Sequence, residues 1–307
     1  MGAARKGRTK LSANDDPRGI MITRREKVAK VVEGNVIIDI HRGFQNVGEA
    51  EKQAMFFRYL DNANSLESVQ EYRQRILELF PVGKGERILD VGCGLGHEVQ
   101  KLAGYVGASG RVVGMDKSEA LIAEARRRAS EGSAPVEFFV GDAGKLDLAD
   151  NSFDLCRAER FLIFLDDPES AIAEMVRIVR PGGHAVVFDF DYAGFSVDVS
   201  DQALMDRIRK IRMGSVPSPL IGRQLRRLFR QKGLLDVSVA PHVVLPTYAL
   251  CKLVDEGVLA NAVKQGNLSR ADYDTWWREL EMAARTGHFV AAWPGYIVGG
   301  RKPAAND

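Results

Sequence analysis

The chain of 307 residues predicts a doubly wound α/β fold, and three observations carry the prediction. From residue 86 onward, short apolar runs alternate with amphipathic segments of helix length. Gly and Pro punctuate the joints, as at Pro181-Gly182-Gly183. The first apolar run, Arg87–Val91, feeds straight into Gly92-Cys93-Gly94-Leu95-Gly96, a loop with few side chains. Strand–helix alternation implies a mostly parallel sheet with helices on both faces. A loop of glycines at a strand end lets the backbone come close to a ligand.

Taken in order, residues 1–34 read as a basic tail without apolar periodicity, and residues 35–80 as a helical cap. Within the cap, Asn64 and Glu67 have the spacing of a capping box. Leu66, Val69, Arg73, Ile76, Leu77 and Phe80 then recur near helical spacing, with Arg73 the one polar member. Residues 81–303 form the main domain. Its predicted strands are Arg87–Val91, Arg111–Asp116, Val136–Val140, Phe153–Ala158, Ala185–Phe190, Asp236–Ala240 and Phe289–Val298. Predicted helices are Glu98–Tyr105, Glu119–Ser130, Pro168–Val179, Gln202–Arg212 and Ile221–Lys232, with about forty helical residues between the last two strands. Helical insertions fall at about 192–218 and 245–286.

Composition narrows the function. Hydrophobic residues make up 45% and the net charge is +2, so nothing global points to nucleic acid. The basic excess is concentrated in residues 1–30, read as a solvated tail or as an arm for an acidic partner. No apolar run reaches the roughly 18 residues of a membrane span, and no secretory signal is visible. Cys93, Cys156 and Cys251 are far apart, lack metal-ligand spacing and fit a reducing, cytoplasmic setting. The sequence leaves the oligomeric state, monomer or homodimer, open.

The glycine loop names its ligand by spacing. A dinucleotide fingerprint, G-x-G-x-x-G counted from Gly92, would need glycine at 97, where the chain has His97. The pattern from Asp90 is D-x-G-x-G-x-G. Downstream, Asp116 ends the second strand, Gly141-Asp142-Ala143 follows the third, Asn151–Leu155 leads into the fourth, and Arg180-Pro-Gly-Gly183 follows the next helix. This ordered set resembles the class I, Rossmann-like S-adenosylmethionine-dependent methyltransferases, in particular the type 11, UbiE-like small-molecule group. The likeness is strong over about 86–190 and loose elsewhere. It implies a seven-stranded, mostly parallel sheet with an antiparallel last strand. It also implies S-adenosyl-L-methionine as donor, S-adenosyl-L-homocysteine as product, a small-molecule acceptor and no metal.

The resemblance assigns roles, and each residue keeps a plainer reading beside it. Gly92, Cys93, Gly94 and Gly96 form the donor loop, with Cys93 equally at home as a small packed hydrophobe. Asp90 lies near the methionine amino group or caps its own turn. Asp116 accepts the ribose hydroxyls, a charge-assisted contact, or caps the next helix. Asp142 and Ala143 meet the adenine, and Lys117 lays its stem on the adenine face or stays in solvent. Glu159 and Arg160 line the methionine end or pair with each other. Arg58 and Tyr59, in Phe56-Phe-Arg-Tyr-Leu60, reach the donor carboxylate and methyl or pack the cap.

Tyr59, Glu159 and His41 are the catalytic candidates, and His97 contacts the donor or closes its turn. Where related chains carry Leu-x-His-Leu, this one has Phe164 in place of the histidine. Phe164, Tyr192, Tyr248, Trp276 and Trp277 are candidate acceptor walls. Loss of that histidine beside polar Arg157, Glu159 and Arg160 leans toward an amine- or thioether-bearing acceptor. An oxygen or carbon acceptor of secondary or quinone metabolism is the alternative, and a non-catalytic cofactor-binding protein a further one. A nucleotide-dependent oxidoreductase is disfavoured by His97.

Overall fold

The computed structural model describes residues 50–130, 135–304 and 307, so the predicted basic tail, the first part of the cap and His41 lie outside the described residues. The sheet is built from β1 (Arg87–Val91), β2 (Arg111–Asp116), β3 (Val136–Val140), β4 (Phe153–Glu159), β5 (Val179–Phe190), β6 (Ser196–Val197), β7 (Leu235–Val244) and β8 (Ala291–Arg301). Strands run in the order β3-β2-β1-β4-β5-β8, with β7 also on β8. β1 to β5 are parallel, and β8 is antiparallel to both β5 and β7. This is the predicted doubly wound architecture with one addition. The two-residue β6 pairs with Ala291 and Ala292, so β5 and β6 make one interrupted line along β8.

Central strands are mostly apolar because helices cover both faces, with Asp90 of β1 and Arg157 of β4 buried among them. Ile88, Leu89 and Val91 of β1 are fully buried. Helix α3 (His97–Val106) packs on β2, α4 (Glu119–Ser130) on β3, α5 (Pro168–Ile178) on β4 and β5, and α7 (Ile221–Gln231) on β8. Helix α5 starts at an Asp167 cap that accepts the Ser170 N–H, with Pro168 in the first turn, where a missing N–H costs nothing. The helix stops within a residue of the predicted end, but Pro181-Gly-Gly183 lies inside β5, which begins at Val179 rather than at Ala185. The chain leaves α5 at Ile178 and pairs at once, with an irregularity between Phe153 and Leu155 on the partner strand.

The cap contributes α1 (Ala50–Asn64) and α2 (Glu67–Leu79). The capping box does not form. Leu66 occupies the N-cap of α2 without a side-chain bond, because Asn64 Oδ1 is engaged by the Arg73 guanidinium. Phe80, just past α2, fills the space that Gly299 leaves on β8; a Cβ there would lie 2.0 Å from the ring. The insertions supply α6 (Gln202–Met213), α8 (Tyr248–Lys264) and α9 (Arg270–Thr286). α8 packs on α6, α9 and α1. Among the described residues, no helix is long and apolar enough to cross a membrane.

The parallel strands end along one edge, at Val91, Asp116, Glu159 and Phe190. β8 runs the other way, so its opening residues, including Trp293, lie at that same edge. Ligands of open α/β sheets bind there. Leu60 of α1 closes over it, its Cδ1 lying 3.4 Å from where a Cβ on Gly94 would be.

Gly299→Ala is expected to overpack Phe80 and cost about 1–3 kcal/mol. Thermal unfolding should show a lower Tm.

Candidate functional site

The loop after β1 is made by glycine in left-handed conformations, with φ of 71° at Gly92, 55° at Gly94 and 74° at Gly96. Side chains are excluded as well as strained: a Cβ on Gly92 would meet Phe161 at 2.3 Å, and one on Gly96 would meet Phe138 at 2.7 Å. The Gly92 and Cys93 N–H groups donate to the Met115 carbonyl at 2.7 and 2.9 Å, which ties the loop to the end of β2. Asp116 follows directly. Its Oδ2 accepts the Gly94 N–H and its Oδ1 the Ser118 N–H, both at 3.0 Å. Each oxygen keeps a lone pair, and burial raises the carboxyl pKa. These residues fit a ribose with two free hydroxyls over a bare backbone.

Below the loop lies a closed set of buried charges. Glu159, ending β4, accepts from Arg73 Nη2 at 2.7 Å, Arg157 Nη2 at 2.6 Å and the Tyr72 hydroxyl. Arg160 Nη2 lies 3.2 Å from the same carboxylate. Glu98, in the first turn of α3, takes Arg157 Nη1 at 2.9 Å and Arg73 Nη1 at 3.2 Å. Asp90 stands 3.5 Å from Arg157 Nε. Three arginines therefore face three carboxylates. Despite its burial, Glu159 is held well below the usual carboxylate range by Arg73, Arg160 and Arg157. Asp90 is pushed up to about 7 by burial, which outweighs Arg157.

The turn after β4 is pinned from β5. Arg160 has φ 51°, a left-handed conformation that costs a branched-free long side chain about 1–3 kcal/mol. Its N–H donates to the Phe188 carbonyl at 2.8 Å, and its Nε is buried without an acceptor. Asp189, 0% exposed, accepts the N–H groups of Phe161 at 3.2 Å, Ile163 at 3.1 Å and Phe190 at 2.8 Å. The first two hold the Phe161 ring against Gly92. Burial pushes Asp189 up to about 7 against the pull of those amides.

An aromatic group borders this edge. The buried Tyr59 phenol, its pKa raised by desolvation, is within electrostatic reach of Arg160, Arg212, Asp255 and Asp189. Tyr192, also raised by burial, senses Arg212, Tyr59, Asp255 and Asp189. Arg212 is paired with Asp255 and lies against the Phe195, Tyr192 and Trp293 rings.

The remaining candidates fall in several places. Arg58 is exposed, about 100° round α1 from Tyr59. Cys93 packs against Gly114, and burial raises its thiol pKa well above the ordinary value. Lys117 and Asp142 are exposed, Asp142 Oδ1 accepting the Gly144 N–H at 2.9 Å, and Ala143 is buried beside them. His97 binds Asp61 Oδ1 of α1 at 2.9 Å, a roof contact that Arg128 shares. Phe164 lies in a short 3₁₀ turn packed against the core. Trp276 and Trp277 are both buried on α9, and Tyr248 meets Phe289 edge-on. Glu98, Asp189, Arg212, Asp255 and Trp293 escaped the sequence reading. Asp189 had a legible signal, an acid inside the apolar run Val186–Phe190.

The methyltransferase domain family matches residues 89–187. An uncharacterized 37.1 kDa protein in a transposon of Streptomyces fradiae is 33% identical over 246 residues, 78% of this chain and 69% of that protein. The demethylmenaquinone methyltransferase of Staphylococcus aureus is 33% identical over 150 residues, and the match spans 49% of this chain and only 59% of that relative's length. A Haemonchus contortus phosphoethanolamine N-methyltransferase 2 in complex with S-adenosyl-L-methionine has the same fold, with TM-score 0.56, 18% identity, and 88% of this chain and 61% of that one covered.

Asp189 gives a pH signature. Its folded pKa lies above the unfolded value, so its contribution to stability is full below about pH 4 and is lost as pH rises toward 7, at most about 1.4 kcal/mol per pH unit. Asp189→Asn should flatten that part of the stability–pH curve. Unfolding measured from pH 4 to 8 checks it, and a curve parallel to wild type contradicts the burial argument.

Proposed function

The chain belongs to the class I S-adenosylmethionine-dependent methyltransferases, in the type 11 group, and from that premise we propose that it methylates an oxygen or carbon nucleophile on a small, largely apolar acceptor. It is an enzyme that uses S-adenosyl-L-methionine as methyl donor. The donor supplies a methyl group already activated by its sulfonium. The protein's work is to hold donor and acceptor in line and keep water out.

On this reading, Asp116 takes the ribose hydroxyls and the Gly92–Gly96 backbone lies under the donor. Asp142 and Ala143 meet the adenine, with the Lys117 stem on its face. Arg160 holds the amino-acid end, its strained backbone being the kind that persists at functional sites. Asp90 helps set the charge there. Glu159, saturated by three arginines and Tyr72, positions Arg160 rather than taking a proton. Tyr59, within electrostatic reach of Arg160 and Arg212, takes the place over the donor methyl.

The observation that carries the acceptor class is the closure of the charge lattice. Arg157, Glu159 and Arg160, the polar residues that favoured an amine or thioether, are spent largely on one another and on Arg73 and Glu98. What borders the edge beyond them is Tyr59, Tyr192, Phe195 and Trp293. The Staphylococcus aureus relative, named for a quinone substrate, supports the same class. An acceptor that binds as a phenolate or enolate loses its proton to solvent first. Its electron pair then forms the new bond to the methyl, and the donor sulfur keeps the pair of the broken bond. An amine acceptor is the second reading: the aromatic box of Tyr192, Phe195 and Trp293 is of a kind that holds cations, but Arg212 already fills it.

Labelled donor offered to phenol, enol, amine and thioether panels should mark the phenols or enols; label confined to amines or thioethers overturns the proposed acceptor class. Calorimetry on Asp116→Ala should show S-adenosyl-L-homocysteine binding at least about tenfold weaker, given roughly 1.5–3 kcal/mol per hydrogen bond to a charged group. Unchanged affinity removes the ribose role.

A further inference from the structure

Two buried N–H groups at the ligand-facing edge lack an acceptor: Arg212 Nε and Trp293 Nε1, on residues only 1% and 6% exposed. They belong to one cluster. The Arg212 guanidinium carbon lies 5.2 Å from the Trp293 ring centre, 4.0 Å from that of Phe195 and 4.9 Å from that of Tyr192. An N–H stripped of water and left unpaired is destabilising, so two in one cluster are a standing demand for an oxygen.

The chemistry of that oxygen follows from the surroundings. Asp255 on α8, itself 1% exposed, pairs with Arg212 Nη1 and already neutralises the guanidinium. A full carboxylate would add an uncompensated charge to an apolar site, at a large desolvation cost. A carbonyl or phenolic oxygen on an aromatic ring meets the donors without that cost.

We propose that Arg212 and Trp293 form an anchoring subsite for a carbonyl or phenolic oxygen of an aromatic acceptor, separate from the atom that is methylated. Asp255 is its positioning residue, holding the guanidinium so that Nε points away from the ion pair. The inference rests on the oxygen-bearing, apolar acceptor class argued above and makes that class more specific.

The test uses the full chain saturated with S-adenosyl-L-homocysteine, with calorimetry of 2-naphthol and of naphthalene as probes. Wild type should prefer 2-naphthol by about tenfold or more, the equivalent of about 1.4 kcal/mol. Trp293→Phe keeps the ring and removes the N–H. The paired change Arg212→Met with Asp255→Leu removes the donor without leaving a buried charge. Each should reduce the preference to within about threefold while leaving S-adenosyl-L-homocysteine affinity unchanged. No preference in wild type, or a preference that survives both changes, overturns the subsite. If label goes only to amines while the 2-naphthol preference and its loss persist, the acceptor class fails and the subsite stands.

Discussion

Three arginines facing three carboxylates in the interior are the constraint on which the rest of this structure depends. Arg73 comes from α2, Asp90 from β1, Glu98 from α3, and Arg157 and Glu159 from β4, with Arg160 on the turn beyond. The set joins the cap to the sheet directly under the glycine loop. Charges this deep are tolerated only when paired and hydrogen-bonded. Removing one partner from such a set typically costs about 3–5 kcal/mol, because the others stay buried without compensation. The lattice therefore stabilises little by itself but fixes one arrangement, in which Arg160 leaves β4 in a left-handed turn.

Geometry at the edge follows from that turn. Arg160 donates its N–H to Phe188, and Asp189 takes the Phe161 and Ile163 N–H groups, so β5 completes what β4 begins. Phe161 is thereby pressed against Gly92, and only glycine leaves room for it. The loop's left-handed glycines and its tie to Met115 bring the Gly94 N–H onto Asp116. The same side-chain-free loop thus serves two ends: it admits the Phe161 ring beneath and leaves its backbone free for a ligand above. On the far side, α1 closes the site through Leu60, Tyr59 and the Asp61–His97–Arg128 contact.

Much of the fold was legible because its signals are local. Alternating strands and helices, the Asp167-Pro168 start of α5 and the glycine loop each act within a few residues. The misreadings came from tertiary contacts overriding local ones. Asn64 looked like a cap, but the buried Arg73 claims its side-chain oxygen. Pro181-Gly-Gly183 marked the end of α5 correctly but looked like a loop, whereas Gly183 sits against the Asp154 carbonyl, where a Cβ would lie 2.5 Å away, and the segment joins the strand. In the candidate site, the tight glycine loop and the place of Asp116 at the end of β2 were readable from spacing. The pairing of Arg212 with Asp255, 43 residues apart in sequence, was not. Trp293 lay unnoticed in the predicted last strand, although an antiparallel course was expected there, because its contact is with Arg212, far away in sequence.

A crystal structure of the full chain with S-adenosyl-L-homocysteine tests the central claim most directly. Both ribose hydroxyls are expected on the Asp116 carboxylate and the amino-acid end at Arg160, with Glu159 still bound to Arg73 and Arg157. A ribose held elsewhere, or Glu159 released from its arginines to bind the ligand, would contradict it.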